Sequence, residues 1–168
     1  MIGRLTLDSR ASAGVEMVLL MPILLVLMFG SLELGHYFYL EHKLVKAVRD
    51  GARYASRLSV SDLCNGASWI GNTTGAEANI KLITATGQLA DVNAVPLVYG
   101  WSKNTVLVST NGCQQFVNTG IYTDLGANGP LVTVDSGNVN YPSIFGALGI
   151  IDTTFKIRAK SSAAVSGI

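Results

Sequence analysis

Apolar side chains are concentrated near the N-terminus of the chain. Residues 17–32 read MVLLMPILLVLMFGSL and include no charged side chain. As a helix they rise about 24 Å, at ~1.5 Å per residue, which is short of a ~30 Å hydrocarbon core. A helix over residues 12–40 is long enough and brings Glu16 and Glu33 to the membrane boundary. We therefore predict one membrane-spanning helix over residues 12–40.

Two other interpretations of this run stay open. A cleaved secretory signal has an apolar region of this length, but it needs small residues three and one positions before the cut. Both candidate pairs, Met28 with Gly30 and Phe29 with Ser31, place a bulky residue at the first position. A helix buried in a soluble domain is the third interpretation, and a domain of this size could hardly enclose a helix that is apolar on every face.

After residue 40 the apolar positions recur at helical spacing. Tyr37 and Tyr39 resemble an interfacial aromatic belt. Apolar or small residues then repeat every three or four positions, at Leu40, Leu44, Ala47, Val48, Gly51, Ala52, Ala55 and Leu58. The opposite face is charged, with Lys43, Lys46, Arg49, Asp50, Arg53 and Arg57. The pattern predicts an amphipathic continuation over residues 41–58, in which Gly51, Ala52 and Ala55 allow another backbone to approach closely.

From residue 59 onward the pattern changes to short segments separated by turn residues. Residues 64–75 are rich in Gly, Asn and Thr and predict a loop. The apolar positions of residues 76–92 recur at roughly helical spacing and predict a helix, and Pro96 prevents the helix from continuing further. Residues 118–130 predict a long loop.

Three segments with strand character complete the second half of the chain. Residues 105–110 are β-rich and end at an Asn-Gly turn pair, and residues 131–135 alternate as a strand does. Residues 153–159 also alternate, with Phe155, Ile157 and Ala159 on one face. We predict an α+β fold, in which a long N-terminal helix, first transmembrane and then amphipathic, packs on a small three-stranded antiparallel β-sheet in a pilin-like arrangement.

Composition and motifs narrow the function. Only 14% of residues are charged and the formal net charge is +1, so no basic field points to nucleic acid. No GxSxG, HExxH, phosphate-binding loop or carboxylate cluster is present, which argues against an enzyme and against a bound cofactor. His36 and His42 lie on different helix faces and make a poor metal site. Trp69 and Trp101 are interpreted as packing residues.

Three ordered motifs frame the apolar run: residues 10–17 (RASAGVEM), residues 29–35 (FGSLELG) and residues 47–55 (AVRDGARYA). Pro22 follows Glu16 by six residues. This order resembles the TadE-like family of minor pilins, or pseudopilins, of the tight-adherence (Tad/Flp) pilus system. The resemblance covers residues 10–57, and the end of the chain is similar only loosely.

The resemblance implies that a prepilin peptidase removes a cytoplasmic leader. A glutamate normally lies five residues into the mature chain, so Glu16 makes Ser12 the first mature residue. Residues 1–11 would then be the leader, and Ala11 stands where glycine is usual. A cut between Gly14 and Val15 is the second choice.

Glu16 is the candidate for subunit pairing. A carboxylate in hydrocarbon is costly unless it is neutral or paired, and the new amine of Ser12, in a neighbouring subunit or in its own chain, would be a suitable partner. The alternative is a carboxylate that snorkels to the headgroups. Pro22 removes a backbone donor and predicts a local kink in the helix.

The resemblance also implies a topology and a set of partners. The N-terminus would be cytoplasmic and residues 59–168 would form an extracytoplasmic domain, although the Lys and Arg distribution does not favour this orientation. The location would be the bacterial inner membrane and then the pilus. Partners would be other Tad minor pilins, the major Flp pilin, the prepilin peptidase, the inner-membrane assembly platform and the lipid bilayer. The alternative function is a membrane-tethered binding domain that never enters a filament.

Two cysteines, Cys64 and Cys113, are too far apart in sequence for a CxxC motif. They are either two buried thiols or one disulfide, and an extracytoplasmic location favours the disulfide.

Overall fold

The computed structural model describes residues 9–90, 93–113, 131–147, 149 and 155–166. The chain forms two compact units, Met1–Phe38 and Tyr39–Ile168. Helix α1 spans Ser9–Arg57, which confirms the predicted long N-terminal helix and places its first residue three positions earlier than expected. It ends because Ser59 adopts an extended backbone and caps the next short helix.

The second half of α1 is amphipathic, as predicted. Its apolar face is buried at Leu40, Leu44, Ala47, Val48, Gly51, Ala52 and Ala55. The charged face is exposed or half-buried, and Arg53 lies 3.6 Å from Asp50. Leu58 is half-buried. This face forms one wall of the core of the second unit, together with Ile80, Val106 and Val132.

The described residues of the second unit form three further α-helices: α2 (Val60–Leu63), α3 (Ala76–Thr86) and α4 (Ile144–Ala147). The prediction that α3 continues to residue 92 was wrong. Gly87 adopts a left-handed conformation at φ 74° and its amide donates to the Ile83 carbonyl at 2.8 Å, which ends the helix. Leu89 is consequently 42% exposed, and Val92 lies outside the described residues.

The strands described are all antiparallel, and they form three small sheets. The strands are β1 (Cys64–Asn65), β2 (Ser68–Trp69), β3 (Leu107–Thr110), β4 (Leu131–Asp135), β5 (Val139–Asn140), β6 (Lys156–Ile157) and β7 (Lys160–Ala164). The main sheet has the order β3-β4-β7, and the two others are the pairs β1-β2 and β5-β6. Strand β4 is central. Its Asp135 pairs with Leu107 of β3 on one side, and its Leu131 pairs with Ala164 of β7 on the other.

The predicted third strand of this sheet, residues 153–159, was wrong. Strand β6 pairs with β5, and the main sheet takes β7 instead. The chain changes sheets at Ala159, whose backbone exchanges two hydrogen bonds with Ser136, at 2.9 Å and 3.0 Å. As a result Ile157 is buried, whereas Phe155 is 68% exposed.

The two predicted loops have different outcomes. Residues 64–75 were expected to be a loop, but Cys64 pairs with Trp69 in a short hairpin. Gly66 in its turn has a φ of 58°, a conformation that side chains disfavour. The predicted loop at residues 118–130 lies outside the described residues.

Candidate functional site

The first unit presents an apolar helix surface on all sides. Within α1, the helix from Gly14 onward has the length and apolar composition to cross a membrane, and none of its most apolar 18-residue window is buried. Side chains as far apart as Val18 and Val26 are each 71% exposed. An exposed apolar surface of this size is typical of a helix that contacts lipid or another protein.

Glu16 lies at the start of this apolar surface and is exposed like its neighbours. Val15 and Met17 on either side are 62% and 59% exposed. A carboxylate among such side chains can pair with a cation on another chain when the surface is covered. Glu33, near the other end, is half-buried and has an interaction partner.

The backbone around the predicted cleavage positions is helical. Both Ala11–Ser12 and the second choice, Gly14–Val15, lie in the first turns of α1. Helix ends fray readily, since their first amides lack partners within the helix. A cut before Ser12 would leave Glu16 one turn from the new amine.

Pro22 lies inside α1, which continues through it. Its ring nitrogen cannot donate to the carbonyl of Val18, four residues earlier. Further along the same helix, the Ser31 hydroxyl donates a hydrogen bond to the Met28 carbonyl at 2.8 Å. The predicted kink at Pro22 stays a prediction.

Gly51, Ala52 and Ala55 lie on the buried face of α1 in the second unit. Gly51 faces Thr84 of α3, and a Cβ atom at Gly51 would overlap the Thr84 hydroxyl and lie 3.0 Å from its Cβ. Thr84 is fully buried and donates to the Ile80 carbonyl at 2.6 Å. Gly51 therefore lets α1 approach α3, a helix of its own chain, at Thr84.

Cys64 and Cys113 form a disulfide, with Cα atoms 5.7 Å apart and a sequence separation of 49 residues. Cys64 begins β1, immediately after α2, and Cys113 follows β3 by three residues. Both are buried. The disulfide therefore links the segment after α1 to the edge of the main sheet.

An ion pair that the sequence did not suggest fixes the end of β4. Arg158 donates from Nε and Nη2 to the Asp135 carboxylate, at 2.6 Å for the shortest contact, and the Gly137 amide donates to the same carboxylate at 2.9 Å. The hydrogen bond from Arg158 holds the pKa of Asp135 below its usual value, although burial of the carboxyl opposes this. The pair lies where the chain changes sheets, so its role is structural.

The described residues offer little for catalysis. They contain no group of three or more His, Cys, Asp or Glu side chains that could hold a metal. Two shallow clefts of about 180 and 170 Å³ flank Lys103 and are smaller than most ligand pockets. Trp101 lines one of them, but it is buried and donates from its indole to the Ser136 carbonyl at 3.1 Å. It is a packing residue, as predicted.

Comparisons with known proteins bear on the N-terminal helix. Searches of curated proteins and of solved structures found no significant match. Residues 11–53, which hold the exposed apolar surface, Glu16 and the amphipathic turns up to Arg53, match the TadE-like protein family. This match confirms the resemblance seen in the sequence and is consistent with a TadE-like pilin of the Tad system.

Proposed function

We propose that this chain is a minor pilin that takes part in the assembly, priming or tip formation of a Tad-type adhesive pilus. The observation that carries the proposal is the exposed apolar helix surface with Glu16 near its start, within the segment that matches the family. A simple anchor needs only the apolar residues. A helix that must leave the bilayer and pack with other helices also needs a feature that sets its register.

Glu16 supplies such a feature. The amine at Ser12, created by cleavage, would pair with the Glu16 carboxylate of a neighbouring subunit. Breaking a desolvated pair of this kind by removing one partner costs about 3–5 kcal/mol, because the other charge stays unpaired. The same carboxylate next to lipid headgroups would contribute little.

The partners follow from this arrangement. Other minor pilins and the major pilin would pack against the apolar surface, and the prepilin peptidase and the assembly platform would act on it in the inner membrane. The second unit would lie outside the cytoplasm, where its disulfide is stable. The alternative is a tethered binding domain that never leaves the membrane.

The experiment is a comparison of Glu16→Ala with Glu41→Ala in cells that assemble the pilus. Both variants remove one carboxylate from α1, but Glu41 lies in the second unit. We expect Glu16→Ala to insert normally in the membrane and to lose co-purification with the pilins, while Glu41→Ala retains it. If Glu16→Ala co-purifies as the native chain does, the pairing role is refuted.

A further inference from the structure

The exposed face of α1 in the second unit carries a row of cations. Lys46, Arg49, Arg53 and Arg57, here called the basic stripe, are all exposed. At 3.6 residues per turn they fall within an arc of about 80° and extend about 16 Å along the helix. Residues 41–57 contain five of the 12 Lys and Arg in the chain and two of its 11 Asp and Glu.

The charges of the basic stripe are poorly compensated by the other described residues of α1. Asp50 is the one acidic neighbour on this face, and it lies 3.6 Å from Arg53, beyond ordinary hydrogen-bond distance. The apolar face of the same helix is already buried in the core. The basic stripe is therefore the part of this helix that is available to a partner.

In a second copy of this chain, the described residues of the second unit do not offer a matching acidic surface. Among the described residues of the second unit there are five acidic side chains. Glu77 and Asp135 are in close ion pairs of their own, at 2.7 Å and 2.6 Å, and Asp50 lies among the cations of the basic stripe itself. The other two, Glu41 and Asp62, are 21 residues apart in sequence. Two copies that met along this face would place cations against cations.

Lipid headgroups also fit less well than a polypeptide. Anionic headgroups attract basic residues that lie within about a Debye length, ~8–10 Å, of the membrane surface. The predicted span ends at residue 40, so along the helix Lys46 lies about 9 Å beyond it and Arg57 about 26 Å beyond it, at ~1.5 Å per residue. One cation per helical turn matches one carboxylate per turn on a facing helix.

We propose that the basic stripe is the docking surface for an acidic helical segment of a different pilus subunit, and that it directs this chain to a heterologous neighbour. The identity of the neighbour as a pilus subunit rests on the proposed function. The acidic chemistry of the neighbour rests on the basic stripe alone.

The first test measures binding of fluorescent poly-L-glutamate to the full chain in a neutral detergent at low salt. Exposed ion pairs contribute modestly, so Arg49→Gln/Arg53→Gln should weaken binding by roughly five- to thirtyfold. The matched control Lys156→Gln/Lys160→Gln removes two exposed cations elsewhere and should change binding less than about twofold. Equal losses in both variants, or no binding by the native chain, would overturn the proposal. So would binding to phosphatidylglycerol vesicles that depends on the basic stripe when poly-L-glutamate binding does not.

The second test introduces a photo-crosslinking residue at position 49 in cells and identifies the crosslinked peptide by mass spectrometry. An acidic peptide of another pilus subunit is the expected product. A peptide of this chain itself, or one without carboxylates, contradicts the proposal. If Glu16→Ala leaves assembly intact but the basic stripe still binds poly-L-glutamate, the pairing role fails and the docking surface stands.

Discussion

Gly51 is the position at which a single methyl group should disturb the second unit most specifically. In Gly51→Ala the new Cβ would overlap the hydroxyl of Thr84, which is fully buried and cannot swing into solvent. Overpacking of this kind costs about 1–3 kcal/mol, and we expect the upper part of that range because both groups sit on helices. Alanine recovers about 1 kcal/mol through its better helix propensity. The net destabilisation should be about 1–2 kcal/mol.

The assay is thermal unfolding of the full chain in a neutral detergent, followed by tryptophan fluorescence, since Trp101 is buried in the second unit. For a unit of this size the midpoint should fall by about 3–10 °C. Gly30→Ala is the control, because its Cβ would have no atom within 4 Å. It should leave this transition unchanged.

A double-mutant cycle isolates the overlap as the cause. Thr84→Ala removes the overlapping hydroxyl and should itself cost about 1 kcal/mol, since the Ile80 carbonyl that it contacts already accepts a helical bond. The double variant should be at least about 1 kcal/mol more stable than the sum of the two single changes predicts. Strict additivity would refute the reasoning.

Two further predictions concern the disulfide and the ion pair. Cys64→Ala/Cys113→Ala opens a link with a sequence separation of 49 residues, so loop entropy predicts a loss of about 4 kcal/mol in the free energy of unfolding, measured by urea titration. A loss below about 1 kcal/mol would show that the sheet holds this region without the link. The pKa of Asp135 is lowered from 3.8 in the folded state, so its contribution to stability is present above that value and is lost as the pH falls through the folded pKa. Asp135→Asn should flatten the acid limb of a profile of unfolding free energy against pH. The exposed control Asp62→Asn should leave that limb unchanged. Identical profiles for Asp135→Asn and the native chain would contradict a stabilising role for the Asp135–Arg158 pair.

The helical part of the fold was predictable because its signals are local. The helical spacing of Leu40, Leu44 and Ala47 indicates which face of α1 is buried in the second unit. The absence of charge over residues 17–32 indicates the apolar part of the helix, which lies in the first unit. The disulfide was predictable as one of two outcomes, since the chain has two cysteines. The resemblance to pilins was carried by motifs that surround the apolar run.

Other features depend on contacts between distant residues and left no local signal. The alternating pattern over residues 153–159 correctly predicted that Ile157 is buried. It could not predict the partner strand, which depends on the hydrogen bonds between Ala159 and Ser136. Asp135 and Arg158 are 23 residues apart, and no spacing rule links them. The early end of α3 was partly visible, because Gly87 is a frequent helix terminator, but the apolar spacing of Leu89 and Val92 favoured a longer helix.

The central claim, that α1 is a processed pilin helix and more than an anchor, is tested most directly by intact-mass and N-terminal analysis of the chain extracted from membranes. The proposed function predicts a mature chain that starts at Ser12, with a start at Val15 as the second choice. A chain that retains Met1 would be a plain signal anchor. A chain that starts after residue 30 would be a secreted domain, and either result would contradict the claim.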